Sequence, residues 1–186
     1  MNNNRALPIY ISLLHSSVKN QNNEVITTSI TNLDVHDLAR LTATYDLAGF
    51  FIVQPLQRQR ELFSELIHYW KKGKGAEYNS LRSKAFENVR IVKSLNDCMQ
   101  EASVYGELKM IATGAQISSD ITCEGVRELT RKHPVLIVFG TGWGLSDEIV
   151  KRADYRLEPI KGRCTYNHLS VRSAASIIID RIYRDG

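Results

Sequence analysis

The chain is poor in cysteine and proline, lacks any Gly-Lys-Ser or Gly-Lys-Thr phosphate loop, and holds no apolar run approaching the ~20 residues of a membrane span. Its three cysteines, Cys98, Cys123 and Cys164, are odd in number and far apart, with no Cys-x-x-Cys pair. That argues against a disulfide framework and a zinc cage, so no metal is expected and a reducing compartment follows. The stretch Met1 to Leu7 is polar, Asn-rich and without the apolar core of a signal peptide. Residues 1–7 read as a disordered tail, 8–186 as a single domain, and the location as cytoplasmic. Charge of one sign is absent too: 24 Lys and Arg stand against 20 Asp and Glu, a net charge of +4. This permits a polyanionic partner without demanding one. With 43% hydrophobic and 24% charged residues the chain is neither wholly disordered nor membrane-embedded, and 186 residues suffice for one buried core.

What is present is alternation. Short apolar runs rich in β-formers fall at 9–14, 49–53, 89–92, 108–112, 135–139 and 155–157. Helical periodicity fills 32–46, 55–71, 80–87, 95–104, 121–132, 145–152 and 168–184. The pattern predicts an α/β fold with a mostly parallel six-stranded sheet and helices on both faces. Pro55 suits a first helical turn, Ser94 a cap before Leu95, and Ser119 or Asp120 a cap for the helix carrying Val126 and Leu129.

Over 32–46, Val35, Leu38, Thr42 and Tyr45 share the side that faces the sheet. His36, Asp37, Arg40 and Thr44 share the other, which is either a solvated face or a functional one. The last helix, with Leu169, Val171, Ala174, Ala175, Ile177, Ile178, Ile179 and Ile182, is apolar nearly all round and needs two covers. A homodimer through this C-terminal helix would supply the second.

The run 135–139 leads into Gly140-Thr-Gly-Trp-Gly144, and a helix follows. Glycines after a parallel strand let backbone approach a ligand at the carboxyl edge of the sheet, although a plain tight turn uses them as well. A dinucleotide fingerprint is excluded, because the third glycine of Gly-x-Gly-x-x-Gly is missing and too little chain remains for the strands it opens. Beyond the last strand, the polar, basic segment from Lys161 ends at Asn167, His168 and Ser170, each able to cap the final helix. Two such loops at one sheet edge make a pocket for a ligand with apolar and polar parts.

Asp34-Val-His-Asp-Leu-Ala-Arg40, Phe139-Gly-Thr-Gly-Trp-Gly-Leu145 and Glu158-Pro-Ile-Lys-Gly162 through Asn167-His-Leu-Ser-Val-Arg-Ser173 resemble, in this order, the three motifs of the SPOUT superfamily of knotted RNA methyltransferases. From Pro8 to Tyr183 the chain resembles a small bacterial SPOUT family, found alone or fused to a tRNA (guanine-N1)-methyltransferase. The resemblance implies a C-terminal trefoil knot, S-adenosylmethionine as cofactor, an obligate dimer, and tRNA or rRNA as substrate. Carried over by position, Phe139, Gly140, Thr141, Gly142 and Gly144 would line the cofactor. Ile160, Tyr166, Asn167, His168, Leu169 and Ser170 would face them, with Thr113 and Gly114 as a third wall.

In the ribose 2'-O-methylating branch an asparagine precedes a catalytic arginine by six residues. Arg40 falls at that arginine's place, but Asp34 stands where the asparagine would be, and His168 replaces the asparagine of the usual third-motif triplet. The acceptor therefore reads as ribose 2'-oxygen or base nitrogen, with Arg40, Asp34 and His36 as the catalytic set and His36 a candidate base. For RNA contact, Lys71, Lys72 and Lys74 beside Trp70 and Tyr78 suit a flexible basic loop, joined by Arg58, Arg163 and Arg172. The departures from the motifs leave a second reading open: a non-catalytic RNA-binding or assembly factor that keeps the cofactor fold.

Overall fold

Successive side chains of a strand point to opposite faces, so a strand covered on both faces is apolar at every position. The computed structural model, which describes residues 6–184, contains such strands. In chain order its elements are β1 (Ile9–Leu14), β2 (Val18–Lys19), β3 (Val25–Ile26), α1 (Asn32–Thr44), β4 (Gly49–Val53), α2 (Gln57–Lys72), α3 (Lys74–Tyr78), α4 (Ser80–Phe86), β5 (Val89–Val92), α5 (Leu95–Ala102), β6 (Lys109–Ala112), α6 (Cys123–Leu129), β7 (Val135–Gly140), α7 (Asp147–Arg152), β8 (Tyr155–Arg156) and α8 (Val171–Tyr183). Residues 1–5 of the expected tail lie outside the described residues, and Leu7 is already tethered, its N–H donating to the Thr130 carbonyl at 2.7 Å.

Six strands form one sheet in the order β5-β4-β1-β7-β6-β8, and every pairing is parallel. Ile9, Ile11, Leu13, Phe50, Ile52 and Ile137 pack toward α1, α2, α4, α6 and α8. Their neighbours Tyr10, Leu14, Phe51, Val53, Leu136 and Val138 pack toward α5 and α7 on the other face. All strand carboxyl ends therefore share one edge of the sheet.

Ser94 caps α5 in a capping box with Asp97, an arrangement worth about 1 kcal/mol. Elsewhere local chemistry shifts the expected boundaries. The Gln54 side chain accepts the Leu56 N–H at 3.1 Å and holds a turn there, so α2 begins at Gln57 rather than Pro55. Thr122, not Ser119 or Asp120, caps α6, because Asp120 is engaged by the Arg156 backbone and guanidinium. The lysine segment expected as a flexible loop is the end of α2 followed by α3. One side of α8 is covered within the chain: Ala175, Ile178, Ile179 and Ile182 are buried, and Tyr45 Oη donates to Asp180 at 2.9 Å. Ser173, Ser176 and Arg181 face solvent, so α8 is less uniformly apolar than its sequence implies.

Candidate active site

Three loops rise from the carboxyl ends of β6, β7 and β8 and face the segment from Thr28 to Asp34 that leads into α1. They enclose a crevice of about 1080 Å³, at the upper end of the range for small-molecule sites. Of the cofactor-binding residues named from the sequence, all line it except Tyr166, which stands beside His168 with ring centroids 5.2 Å apart. The Asn167 amide donates to the Ala115 carbonyl at 3.1 Å, joining the loop after β8 to the loop after β6.

The glycine-rich turn is held by β2 and β3, a hairpin too short to leave a sequence signal. Trp143 N–H donates to the Lys19 carbonyl and Lys19 N–H to the Gly144 carbonyl, both at 2.9 Å. Gly142 sits at φ 61°, and a Cβ there would lie 2.8 Å from the Lys19 oxygen. A Cβ at Gly140 would come equally close to Leu145 N. The turn is therefore fixed by close backbone approach.

Beneath it runs a hydrogen-bond chain that motif reading missed. Thr141 Oγ1 donates to the Leu14 carbonyl at 3.0 Å, Thr28 Oγ1 lies 2.6 Å from Thr141 Oγ1, and His15 Nδ1 lies 3.1 Å from Thr28 Oγ1. Because the Thr141 proton is already used, Thr28 must donate to Thr141, and His15 must donate from Nδ1. His15 Nε2 is then a bare acceptor, fully buried and without a partner. Desolvation pushes the His15 pKa down to about 4, against an upward pull from Asp34. The available signal was positional: His15 is the first polar side chain after β1, at the carboxyl edge.

Among the proposed catalytic residues only Asp34 lines the crevice. Arg172 Nη1 donates to Asp34 Oδ1 at 2.9 Å, Thr31 Oγ1 donates to Asp34 Oδ2 at 2.6 Å, and Arg172 Nε lies 3.3 Å from Asp37. Arg172, expected at the RNA, is thus paired within the chain. His36 does not line the crevice; its ring meets Trp70 and Phe86 edge-on at 5.2 and 4.9 Å, and burial, followed by Arg82, lowers its pKa. Arg40 is exposed, six residues or roughly 9 Å of helix rise below Asp34.

Arg58, Lys72, Lys74 and Arg163 are exposed. Lys71 is half-buried and donates to the Val89 carbonyl at 3.0 Å, at the amino end of the outermost strand, β5. The lysine cluster and the crevice therefore occupy opposite ends of the sheet. Trp70, expected beside the lysines at an RNA-contacting loop, is covered by the Arg82 guanidinium at 4.7 Å.

A wholly parallel sheet with a loop-lined crevice at its carboxyl edge defines an α/β small-molecule-binding domain. A family model described as "SAM-dependent RNA methyltransferase" matches residues 8–184, and the chain belongs to that family. It is 38% identical over 179 residues to a tRNA (guanine-N(1)-)-methyltransferase of Oleidesulfovibrio alaskensis, covering 95% of this chain and 42% of that protein. The chain thus spans less than half the length of that relative. An uncharacterized protein of Aquifex aeolicus is 32% identical over 180 residues, covering 94% and 88% of the two chains. The fold is shared with TrmJ from Z. mobilis (TM-score 0.63, 13% identity, 97% and 70% covered). It is likewise shared with the SpoU methyltransferase AviRb from Streptomyces viridochromogenes, solved with AdoMet (0.59, 13%, 96% and 57%).

The residues present fit the family's cofactor, S-adenosylmethionine. Phe139, Leu145, Ile160 and Ile178 offer an apolar slot for a flat base, while Asp34 and Glu158 bring negative charge to a cationic ligand. A Cβ at Gly144 would meet nothing within 4 Å, so that wall is open backbone. Among the described residues no group of three metal-ligating side chains occurs, and no helix is long and apolar enough to cross a membrane.

Proposed function

We propose that the protein methylates RNA, a tRNA or an rRNA, at a ribose 2'-oxygen or a base nitrogen. The observation that carries this reading is the placement of Asp34, clamped by Arg172 and Thr31, on the wall of a crevice suited to the cofactor. S-adenosylmethionine supplies an electrophilic methyl group on a sulfonium. The glycine-rich turn and the loop carrying Ile160 hold the donor, and alignment supplies most of the rate. Asp34 would orient the acceptor O–H or N–H and take up its proton.

Arg40 lies away from its own chain's crevice, so its role at the acceptor calls for a second copy that brings it there. We therefore retain the homodimer through α8, whose Ile177 is only half-buried. His36 supports α1 rather than acting as a base. The C-terminal trefoil knot is retained as part of this reading, with the loop after β8 resting against the loop after β6 through the Asn167–Ala115 contact. Three unpaired thiols fit a reducing cytoplasmic setting.

The test is incubation of the purified protein with methyl-tritiated S-adenosylmethionine and total RNA from cells lacking it. Label in RNA that disappears with Asp34→Asn is the expected result. Cofactor and RNA binding without transfer to any RNA would instead favour the assembly-factor reading.

A further inference from the structure

We propose that Trp143 and Tyr166 form a stacking platform for an unpaired RNA base, so that the substrate presents a single-stranded or extruded nucleotide rather than an intact duplex. The proposal rests on the methyl-transfer reading above and specifies the form in which RNA reaches that site.

Trp143 is 63% exposed and Tyr166 72% exposed, although large aromatic side chains are the ones that gain most from burial. Exposure of the indole is built in. Its backbone is fixed by the bond to Lys19 and lies between Gly142 at φ 61° and Gly144 at φ 100°, so the turn displays the side chain outward. The His168 ring stands between the two, 6.2 Å from Trp143 and 5.2 Å from Tyr166, at interplanar angles of 69° and 66°. Both contacts are edge-to-face, so neither ring is stacked in parallel on the other side chains here. Parallel stacking remains open to a flat guest.

Trp143 and His168 themselves line the crevice from two different loops, which makes the aromatic patch continuous with the cofactor site. A reacting atom must come within ~3–3.5 Å of the transferred methyl group, and a base stacked and paired inside a duplex cannot enter such a recess. Lys161 and Arg163, exposed in the loop that carries Tyr166, add positive charge for the flanking phosphates. Aromatic faces bordered by cations match a polyanion of flat bases better than the surface of a second copy of this chain.

The experiment uses the Trp70→Phe variant, in which Trp143 is the sole indole. Its fluorescence is titrated with a single-stranded dodecamer of oligoadenylate and with the duplex that dodecamer forms with oligouridylate, both in the presence of S-adenosylhomocysteine. The proposal predicts quenching by the single strand and at least tenfold weaker binding of the duplex. Read by fluorescence anisotropy of the 5'-fluorescein-labelled dodecamer, which needs no indole, Trp143→Ala and Tyr166→Ala each weaken single-strand binding by about 5- to 100-fold, as expected for one lost stacked base. Trp143→Phe keeps most of the affinity, and the melting temperature of every variant stays near that of the native chain. Equal binding of strand and duplex, or alanine variants with full affinity, would overturn it. So would a Trp143→Ala protein that changes from dimer to monomer in sedimentation while its RNA affinity stays intact. Loss of methyl transfer to all RNA with base stacking intact sinks the catalytic reading and leaves the platform supported.

Discussion

Arg172 at the start of α8 and Asp34 at the start of α1 meet at 2.9 Å across the rim of the crevice, although 138 residues separate them. The pair joins the third sequence motif of the site to the first, and it fixes the carboxylate proposed to act on the acceptor. Arg172→Ala leaves a carboxylate that is only 10% exposed without its main partner. Because Arg172 is partly solvated, the expected loss of stability is about 1–3 kcal/mol rather than the larger cost of a fully buried pair. Urea denaturation measures it. Asp34→Asn keeps the shape and loses less stability, yet its methyl transfer falls by at least 100-fold.

His15 gives the fold an acid-sensitive point. Its pKa is near 4 in the folded chain and 6.5 when unfolded. Above pH 6.5 both states are neutral there and nothing is gained or lost. Below it the unfolded chain takes up a proton that the folded chain refuses, so stability falls with decreasing pH, by about 1.4 kcal/mol per unit until pH 4. The total is about 3 kcal/mol. Denaturation midpoints at pH 7.5, 5.5 and 4.5 should show this slope in the native chain and a shallower one in His15→Asn; parallel slopes would remove His15 as the cause.

Gly142→Ala forces a side chain into a left-handed backbone and against the Lys19 oxygen. Strain of this kind costs ~1–3 kcal/mol. The turn and hairpin yield first, so calorimetry with S-adenosylmethionine should read a 5- to 100-fold loss of affinity with a smaller change in melting temperature.

If Arg40 serves the crevice of a partner, Arg40→Ala and a second variant with a blocked crevice, Ile160→Trp, are each inactive alone and regain activity when co-refolded. The mixed dimer then holds one open crevice faced by one intact arginine. Mixtures as inactive as their parents place Arg40 at its own crevice, and an Arg40→Ala protein active alone places it outside catalysis.

The sheet was legible because both-face burial writes each strand as an unbroken apolar run: Phe50 and Phe51 are adjacent, point to opposite faces and are both fully buried. The hairpin of β2 and β3 was not, since two-residue strands within a polar stretch carry no period. Glycine spacing and the strand before it marked the crevice wall. The Asp34–Arg172 pair was invisible because charge pairing between distant segments follows from packing, and Lys71 looked free because sequence does not show which carbonyl captures an ammonium group. Caps followed the same rule, with Ser94 readable from its own tetrapeptide and Thr122 decided by the distant Arg156.

Calorimetric titration of S-adenosylmethionine into the native protein and into Ile160→Trp tests most directly whether the carboxyl-edge crevice is the donor site. The account predicts one molecule bound per chain and no measurable binding once the indole fills the crevice. Unchanged binding in a correctly folded Ile160→Trp protein would contradict it.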